Sequence, residues 1–321
     1  MIYLIYVLLA LAVVGFSIKA ADYVDLIDKK TNISGAFIGG VMLAAITSLP
    51  EFFTSIAAAL ILNNSELVLG NILGSNIFNL ATLGVVLILF IKGFVNDTIS
   101  KNHYMTSLFV LFTNVALFFP VYFSKDLNVF NISLVSIVIL IFYFVSLKFM
   151  ANDDTETESE EDNCKLSIKQ IAIRFILASI GLVIASILIT YVTEIISEKL
   201  NLSASLSGAL FLGIATSLPE LTSTVALAKK LKFNLVVGNI IGSNMFNLFI
   251  ICVTDILYIG NSLYYTTHEQ TKLLLGFGFI STILASILLL FKKLNNKSKA
   301  VYIILNLAII IMYLLYLILS L

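Results

Sequence analysis

The sequence predicts an all-α integral membrane protein of ten transmembrane helices, arranged as two inverted five-helix repeats. Three observations carry that expectation: a composition too apolar for a water-soluble domain, apolar runs of spanning length along nearly the whole chain, and a pair of polar motifs that occurs twice in the same order. Of 321 residues, 60% are hydrophobic and 12% charged, whereas soluble domains run about 45–50% apolar and about 25% charged. A spanning helix takes about 20 apolar residues, which leaves room for about ten spans with short connections and excludes a peripheral or single-anchor protein. Lys plus Arg and Asp plus Glu both number 19. That balance leaves no net basic surface of the kind that follows a nucleic-acid backbone.

The first run, Met1 to Phe16, has no basic n-region and no A-x-A-like cleavage site, so it reads as a retained span rather than a signal peptide. Spans are expected near 2–21, 36–61, 67–91, 104–123, 129–150, 170–192, 205–228, 235–258, 273–291 and 301–319, from apolar runs separated by polar breaks. Such runs are too long for membrane strands of roughly 9–11 residues, and they do not alternate polar with apolar. The acidic run from Asp153 to Asp162 reads as a solvated linker. It divides the chain into a first repeat over 1–150, a linker over 151–169 and a second repeat over 170–321. Cys164 falls in a polar loop and Cys252 in an apolar segment, so neither a disulfide nor metal-type spacing is expected. Lys and Arg accumulate in cytoplasmic loops. With the N-terminus outside, only Lys125, Lys199 and Lys272 of the 19 basic residues fall in outer breaks. The expectation is a multi-pass cell-membrane protein with both termini outside and a cytoplasmic linker.

Thr47-Ser48-Leu49-Pro50-Glu51 recurs unchanged as Thr216-Ser217-Leu218-Pro219-Glu220, 169 residues later. Gly70-Asn71-Ile72-Leu73-Gly74-Ser75-Asn76-Ile77-Phe78-Asn79-Leu80 recurs as Gly238-Asn239-Ile240-Ile241-Gly242-Ser243-Asn244-Met245-Phe246-Asn247-Leu248 after a shift of 168, with two positions changed. Each copy puts the first motif in the second span of its half and the second motif in the third. An odd number of spans per half turns the second copy over, which is the plan of secondary transporters whose substrate sites lie near the midplane between repeats.

Pro50 and Pro219 are two of three prolines in the chain, and each stands inside an apolar span. A proline there offers no N–H to the carbonyl four residues earlier, which frees Ile46 and Ala215. Broken helices at membrane depth are tolerated where they are buried in protein or line a cavity. Helical spacing stacks Thr47 and Ser48 beside Glu51, and Thr216 and Ser217 beside Glu220. Ser75 and Asn79 share one face of the partner span, as do Ser243 and Asn247. The whole set is oxygen, which suits hard cations such as Na⁺ and Ca²⁺. His103 and His268 fall in breaks and read as loop residues, and Asp255 reads as an interfacial residue at a span end. Gly70 with Gly74 and Gly238 with Gly242 fit small-xxx-small helix packing. A kink explains either proline alone, and a membrane Ser or Thr often bonds its own backbone. The glutamates are harder to explain away. An acid at mid-span costs on the order of 3 kcal/mol, and no Lys or Arg lies in either motif to pair with it.

At these residues the chain resembles the cation/Ca²⁺ exchanger superfamily, and its prokaryotic sodium/calcium exchangers in particular. The two repeats of that superfamily carry a G-T-S-x-P-E motif and a G-N-x-x-G-S-N motif. The resemblance implies that Glu51 and Glu220 are central ligands shared by Ca²⁺ and Na⁺. It further implies coordinating oxygens from Thr47 and Thr216 with Ser48 and Ser217 close by, flanking Na⁺ sites at Ser75 and Ser243, and Asn79 and Asn247 in the middle. Backbone oxygens near Ala44 and Gly213 would also take part. Two departures are visible. The glycine usual before Thr-Ser is Ile46 in one repeat and Ala215 in the other, and many members carry Asp where this chain has Asn247.

The expected function is therefore Ca²⁺/Na⁺ antiport by alternating access, with the two ions as substrates, the bilayer as surroundings and no cofactor. A proton can also discharge a glutamate, so H⁺-coupled antiport is an alternative. A cation channel also selects ions by carboxylates and carbonyls but would conduct without a counter-ion gradient. An intramembrane enzyme lacks a Ser, His or Cys partner for the acids in either motif.

Overall fold

The computed structural model describes residues 2–31, 33–61, 63–123, 127–129, 132–151, 166–199, 213–258, 262–264 and 269–320. The acidic run, Cys164 and His268 lie outside them, as does the start of the expected seventh span. Among the described residues the chain is almost entirely α-helical, with one two-stranded antiparallel ribbon, β1 (Asn128–Val129) and β2 (Ile132–Ser133).

Helix α1 (Ile2–Lys30) runs well past its apolar stretch. The extension is held because Ser17, Ala20, Ala21, Val24 and Asp28 recur at helical spacing and are buried. The next span is not one helix. Ser34 opens α2 (Gly35–Phe37) by accepting from the Phe37 N–H at 3.1 Å, and its own hydroxyl donates to the Met150 carbonyl at 2.6 Å. A π-helical stretch, Ile38–Leu43, leads into α3 (Ala44–Thr47). The helix then breaks at Ser48 (φ −90°, ψ 7°), and α4 (Leu49–Leu60) leaves at 45° to the segment before it. Pro50 sits in the first turn of α4, where a missing N–H costs nothing.

Helix α5 (Ser65–Leu89) starts at Asn64, whose side chain accepts from the Leu67 N–H, and is followed by the short α6 (Ile91–Asn96). Then come α7 (Lys101–Phe123), α8 (Leu134–Ala151) and α9 (Ile168–Lys199). In the second half, α10 (Gly213–Thr216) and α11 (Leu218–Lys229) flank a break at Ser217 with φ −91° and ψ 7°. These are nearly the angles found at Ser48. Helices α12 (Phe233–Leu257), α13 (Glu269–Lys293) and α14 (Lys299–Ser320) complete the chain.

Among the described residues eight helices are long and apolar enough to cross a membrane, and a ninth span results if the bent pair around Ser48 counts as one. The expected seventh span is represented only by α10 and α11. Helices α5 and α12 are buried on nearly every face, as helices at the centre of a bundle are. The start of α5 (Val68, Leu69, Ile72) shares an apolar cluster with the end of α12 (Leu248, Ile251), and the end of α5 (Leu83, Leu87) shares another with the start of α12 (Phe233, Val236). The two central helices therefore run in opposite directions, and their polar residues fall in the belt between the two clusters.

His103 differs from expectation. His103 lies in the first turn of α7 and is fully buried, with Nε2 2.9 Å from Asn234 Oδ1, because α7 starts two residues before it rather than at the apolar run. Asp255 is also buried. Its Oδ2 accepts from the Ser133 N–H (3.0 Å) and the Ser136 hydroxyl (2.7 Å) at the start of α8, so near the end of its own span it caps a neighbouring helix.

Candidate ion-binding site

Each helix break sets a glutamate in the first turn of a new helix, Glu51 in α4 and Glu220 in α11. The unpaired N–H groups there carry partial positive charge and favour a carboxylate. Both glutamates are fully buried, as are Thr47, Ser48, Ser75, Asn79, Thr216, Ser217, Ser243 and Asn247. Ala44 is buried at the start of α3, and Gly213 begins α10.

The hydrogen bonds cross between the halves. Ser48 Oγ donates to Glu220 Oε1 at 2.8 Å, and Ser217 Oγ donates to Glu51 Oε1 at 3.1 Å. Helical spacing had set each serine beside the glutamate of its own helix. The break removes that register, because Ser48 and Ser217 do not have helical angles, and the hydroxyls turn across to the partner half. Ser75 Oγ also donates to Glu51 Oε1, at 3.1 Å. Ser243 takes a different place: its Oγ donates to the Ala44 carbonyl and lies 3.4 Å from Thr47 Oγ1. Thr47 donates to the carbonyls of Leu43 and Ala44 at 3.1 and 3.2 Å, the backbone bonding that a membrane threonine commonly makes.

The structure thus gathers residues of both motif pairs around two carboxylates. Among the described residues no ion pair reaches either glutamate. Glu51 Oε2, Glu220 Oε2, Asn79 Oδ1 and Asn247 Oδ1 are buried acceptors with no hydrogen-bond partner among the described residues. Buried oxygens left this way are costly unless something positive meets them. No group of three or more His, Cys, Asp or Glu that could hold a metal ion occurs among the described residues, and the donors gathered here are carboxylate, hydroxyl, amide and backbone oxygen. Such a set takes hard cations.

Sequence reasoning passed over a supporting layer. Asn71 Nδ2 donates to Ser55 Oγ (3.0 Å) and to the Glu51 carbonyl (3.3 Å), which ties α5 to the turn carrying the acid. Asn239 Nδ2 makes the bond matching Ser55 to Thr224 Oγ1 and reaches the Glu220 turn through Ser223 Oγ, both at 3.0 Å, with Ser223 Oγ donating in turn to the Glu220 carbonyl at 3.2 Å. The recurrence of these asparagines in the repeated block was the available signal. Of the motif glycines, Gly238 and Gly242 follow the packing expectation. A Cβ on Gly238 would stand 3.0 Å from the Gly40 nitrogen, and one on Gly242 would stand 2.6 Å from Gly40 Cα and run into its carbonyl oxygen. A Cβ on Gly70 or Gly74 would meet no described atom within 4 Å, so close packing does not account for that pair here.

A multi-helix membrane bundle with two carboxyl groups among hydroxyl and amide oxygens, between two copies of one motif pair, is the kind of architecture that suits a carrier of hard cations. A family model described as sodium/calcium exchanger protein matches residues 1–151 and 171–321. The protein belongs to the sodium/calcium exchanger family, a family of transporters rather than enzymes. The sodium/calcium exchanger MaX1 of Methanosarcina acetivorans is 28% identical over 279 residues, which cover 74% of this chain and 78% of MaX1. The uncharacterized membrane protein MJ0091 of Methanocaldococcus jannaschii is 29% identical over 216 residues, 67% of this chain and 68% of that protein. Among solved structures, the sodium-calcium exchanger NCX_Mj soaked with Na⁺ and Sr²⁺ matches with a TM-score of 0.75 at 22% identity, over 98% of this chain and 96% of that one. At that identity the likeness speaks for the fold.

Proposed function

We propose that the protein is a secondary active antiporter that exchanges Ca²⁺ for Na⁺ across the cell membrane, by alternating access to one oxygen-ligand site near the middle of the bilayer. The observation that carries this reading is the glutamate pair. Glu51 and Glu220 are fully buried, and among the described residues neither has a cationic partner and each keeps one carboxylate oxygen unpartnered. Two carboxylates in one pocket are neutralised by one Ca²⁺ or by two Na⁺, and not by both loads together. Competition for the same charge then couples the two flows. Hydroxyls of Thr47, Thr216, Ser48, Ser217, Ser75 and Ser243, amide oxygens of Asn79 and Asn247, and backbone oxygens at Ala44 and Gly213 supply the further ligands that Ca²⁺, which takes about 6–8 oxygens, requires. The choice of ions is supported by the family and by the names of the relatives. The opposed directions of α5 and α12 support two inverted repeats, 1–150 and 170–321, each opening the site to one side in turn. Which ion is bound would bias that equilibrium.

The test is transport by Glu51→Gln and Glu220→Gln in proteoliposomes. Each substitution removes half of the formal charge with little change in size. Uptake of radiolabelled Ca²⁺ driven by an outward Na⁺ gradient is expected to fall to the vesicle background while the protein stays inserted and monodisperse. Uptake kept by either variant would make that acid structural. Uptake by the unsubstituted protein without any counter-ion gradient would indicate a channel.

A further inference from the structure

Four asparagines, two from each copy of the second motif, form a closed set across the interface of α5 and α12. Asn79 Nδ2 donates to Asn244 Oδ1 at 3.1 Å, and Asn247 Nδ2 donates to Asn76 Oδ1 at 2.9 Å. The accepting amides are fixed in turn by backbone: Asn244 Nδ2 donates to the Asn76 carbonyl at 3.1 Å and Asn76 Nδ2 to the Asn244 carbonyl at 3.4 Å. Asn76 and Asn244 are 7% and 1% exposed. The result is directional. An asparagine amide has an oxygen end and a nitrogen end of nearly equal size, and only the oxygen end attracts a cation. Asn76 and Asn244 engage the nitrogen ends of Asn247 and Asn79, and the oxygen ends are left buried without partners among the described residues.

We propose that Asn76 and Asn244 are positioning residues that turn the amides of Asn247 and Asn79 so that each presents oxygen to the transported cation. The inference rests on the reading above that Asn79 and Asn247 are ligands. Its pairing is crossed: Asn76 acts through Asn247 and Asn244 through Asn79, so each half of the chain orients a ligand of the other. Without its orienter, a ligand amide is free to rotate and offers N–H to the ion in part of the population, which weakens binding without changing the number of ligands.

A double-mutant cycle read on the half-saturation for Ca²⁺, in proteoliposomes with a fixed Na⁺ gradient, tests this. Asn76→Ala is expected to raise half-saturation about fivefold, the factor of one ordinary intramolecular hydrogen bond. In an Asn247→Ala background it should add nothing, because no amide remains to be turned. In an Asn79→Ala background it should act at full strength. A packing role alone would give the same factor in both backgrounds, and that result overturns the proposal. So does an Asn76→Ala protein with unchanged half-saturation. The mirrored cycle, Asn244→Ala against Asn79→Ala and Asn247→Ala, gives an independent answer if Asn76→Ala does not insert. If Asn247→Ala and Asn79→Ala alone both leave half-saturation unchanged, the ligand reading fails first, and this inference falls with it.

Discussion

Around Glu51 and Glu220 hydroxyl donors and helix N-termini offset part of the cost of burying carboxylates, with no ion pair to either acid among the described residues. That leaves the formal charge of the cluster at the value set by the two acids, since position 247 is an amide. By resemblance, many exchangers carry aspartate there. One Ca²⁺ balances two carboxylates, and a co-bound K⁺ would leave an excess positive charge in a desolvated pocket. We therefore expect exchange to be independent of K⁺. We also expect Asn247→Asp, which adds a third acid, to gain sensitivity to K⁺ or to pH as that acid titrates. Replacing K⁺ by choline on both sides of the vesicle, with Na⁺ and membrane potential held constant, is the measurement, and loss of Ca²⁺ uptake in the unsubstituted protein would contradict the expectation. Most of these residues could be found from sequence, because the motif repeats and every polar residue in it was conspicuous against an apolar background. The direction of the serine bonds was not legible. It depends on the backbone angles at Ser48 and Ser217, which periodicity treats as helical.

On the level of single elements, the π-helical stretch and the break at Ser48 let one span approach α12 with only glycine between the two backbones. Gly242→Ala would set a methyl group against Gly40 Cα, and neither backbone can yield without shifting the helix that bears Thr47 and Ala44. Overpacking of this kind typically destabilises by about 1–3 kcal/mol. We expect a clear loss of thermal stability in a size-exclusion melting assay. Gly278→Ala, where a Cβ would meet no described atom within 4 Å, is expected to melt like the unsubstituted protein. The sequence suggested the glycines as packing residues, yet close contact is seen at Gly238 and Gly242 and not at Gly70 and Gly74. A small-residue pattern marks where helices can approach, whereas the partner is chosen by tertiary structure. The hydropathy pattern also ended α1 and α9 too early, since each continues as a helix through charged residues once the apolar run is over.

For the molecule as a whole, the apolar composition and the duplicated motifs made the membrane bundle legible, and the distribution of Lys and Arg gives the only handle on its orientation. The proposal is a cytoplasmic linker over 151–169 with both termini outside. A single cysteine placed between Asp153 and Asp162, in a background lacking Cys164 and Cys252, should resist a membrane-impermeant maleimide added to intact cells and react after permeabilisation. Efficient labelling from outside would reverse the orientation without altering the exchange reaction itself.

The crossed serine bonds make the two halves dependent on each other in a way that outlasts the peptide connection between them. A duplicated module whose copies each completed their own carboxylate could drift apart, and one copy could be discarded. Here a hydroxyl that steadies Glu220 is written in the first copy, and Glu51 draws one from the second copy beside Ser75 of its own, so a lesion in either copy is felt at the acid of its sibling. If the gene is cut within codons 152–165 and the two fragments are made separately, each should hold a glutamate deprived of the serine hydroxyl that the other half supplies. Neither fragment should catalyse exchange in proteoliposomes, and co-expression of the two should restore it.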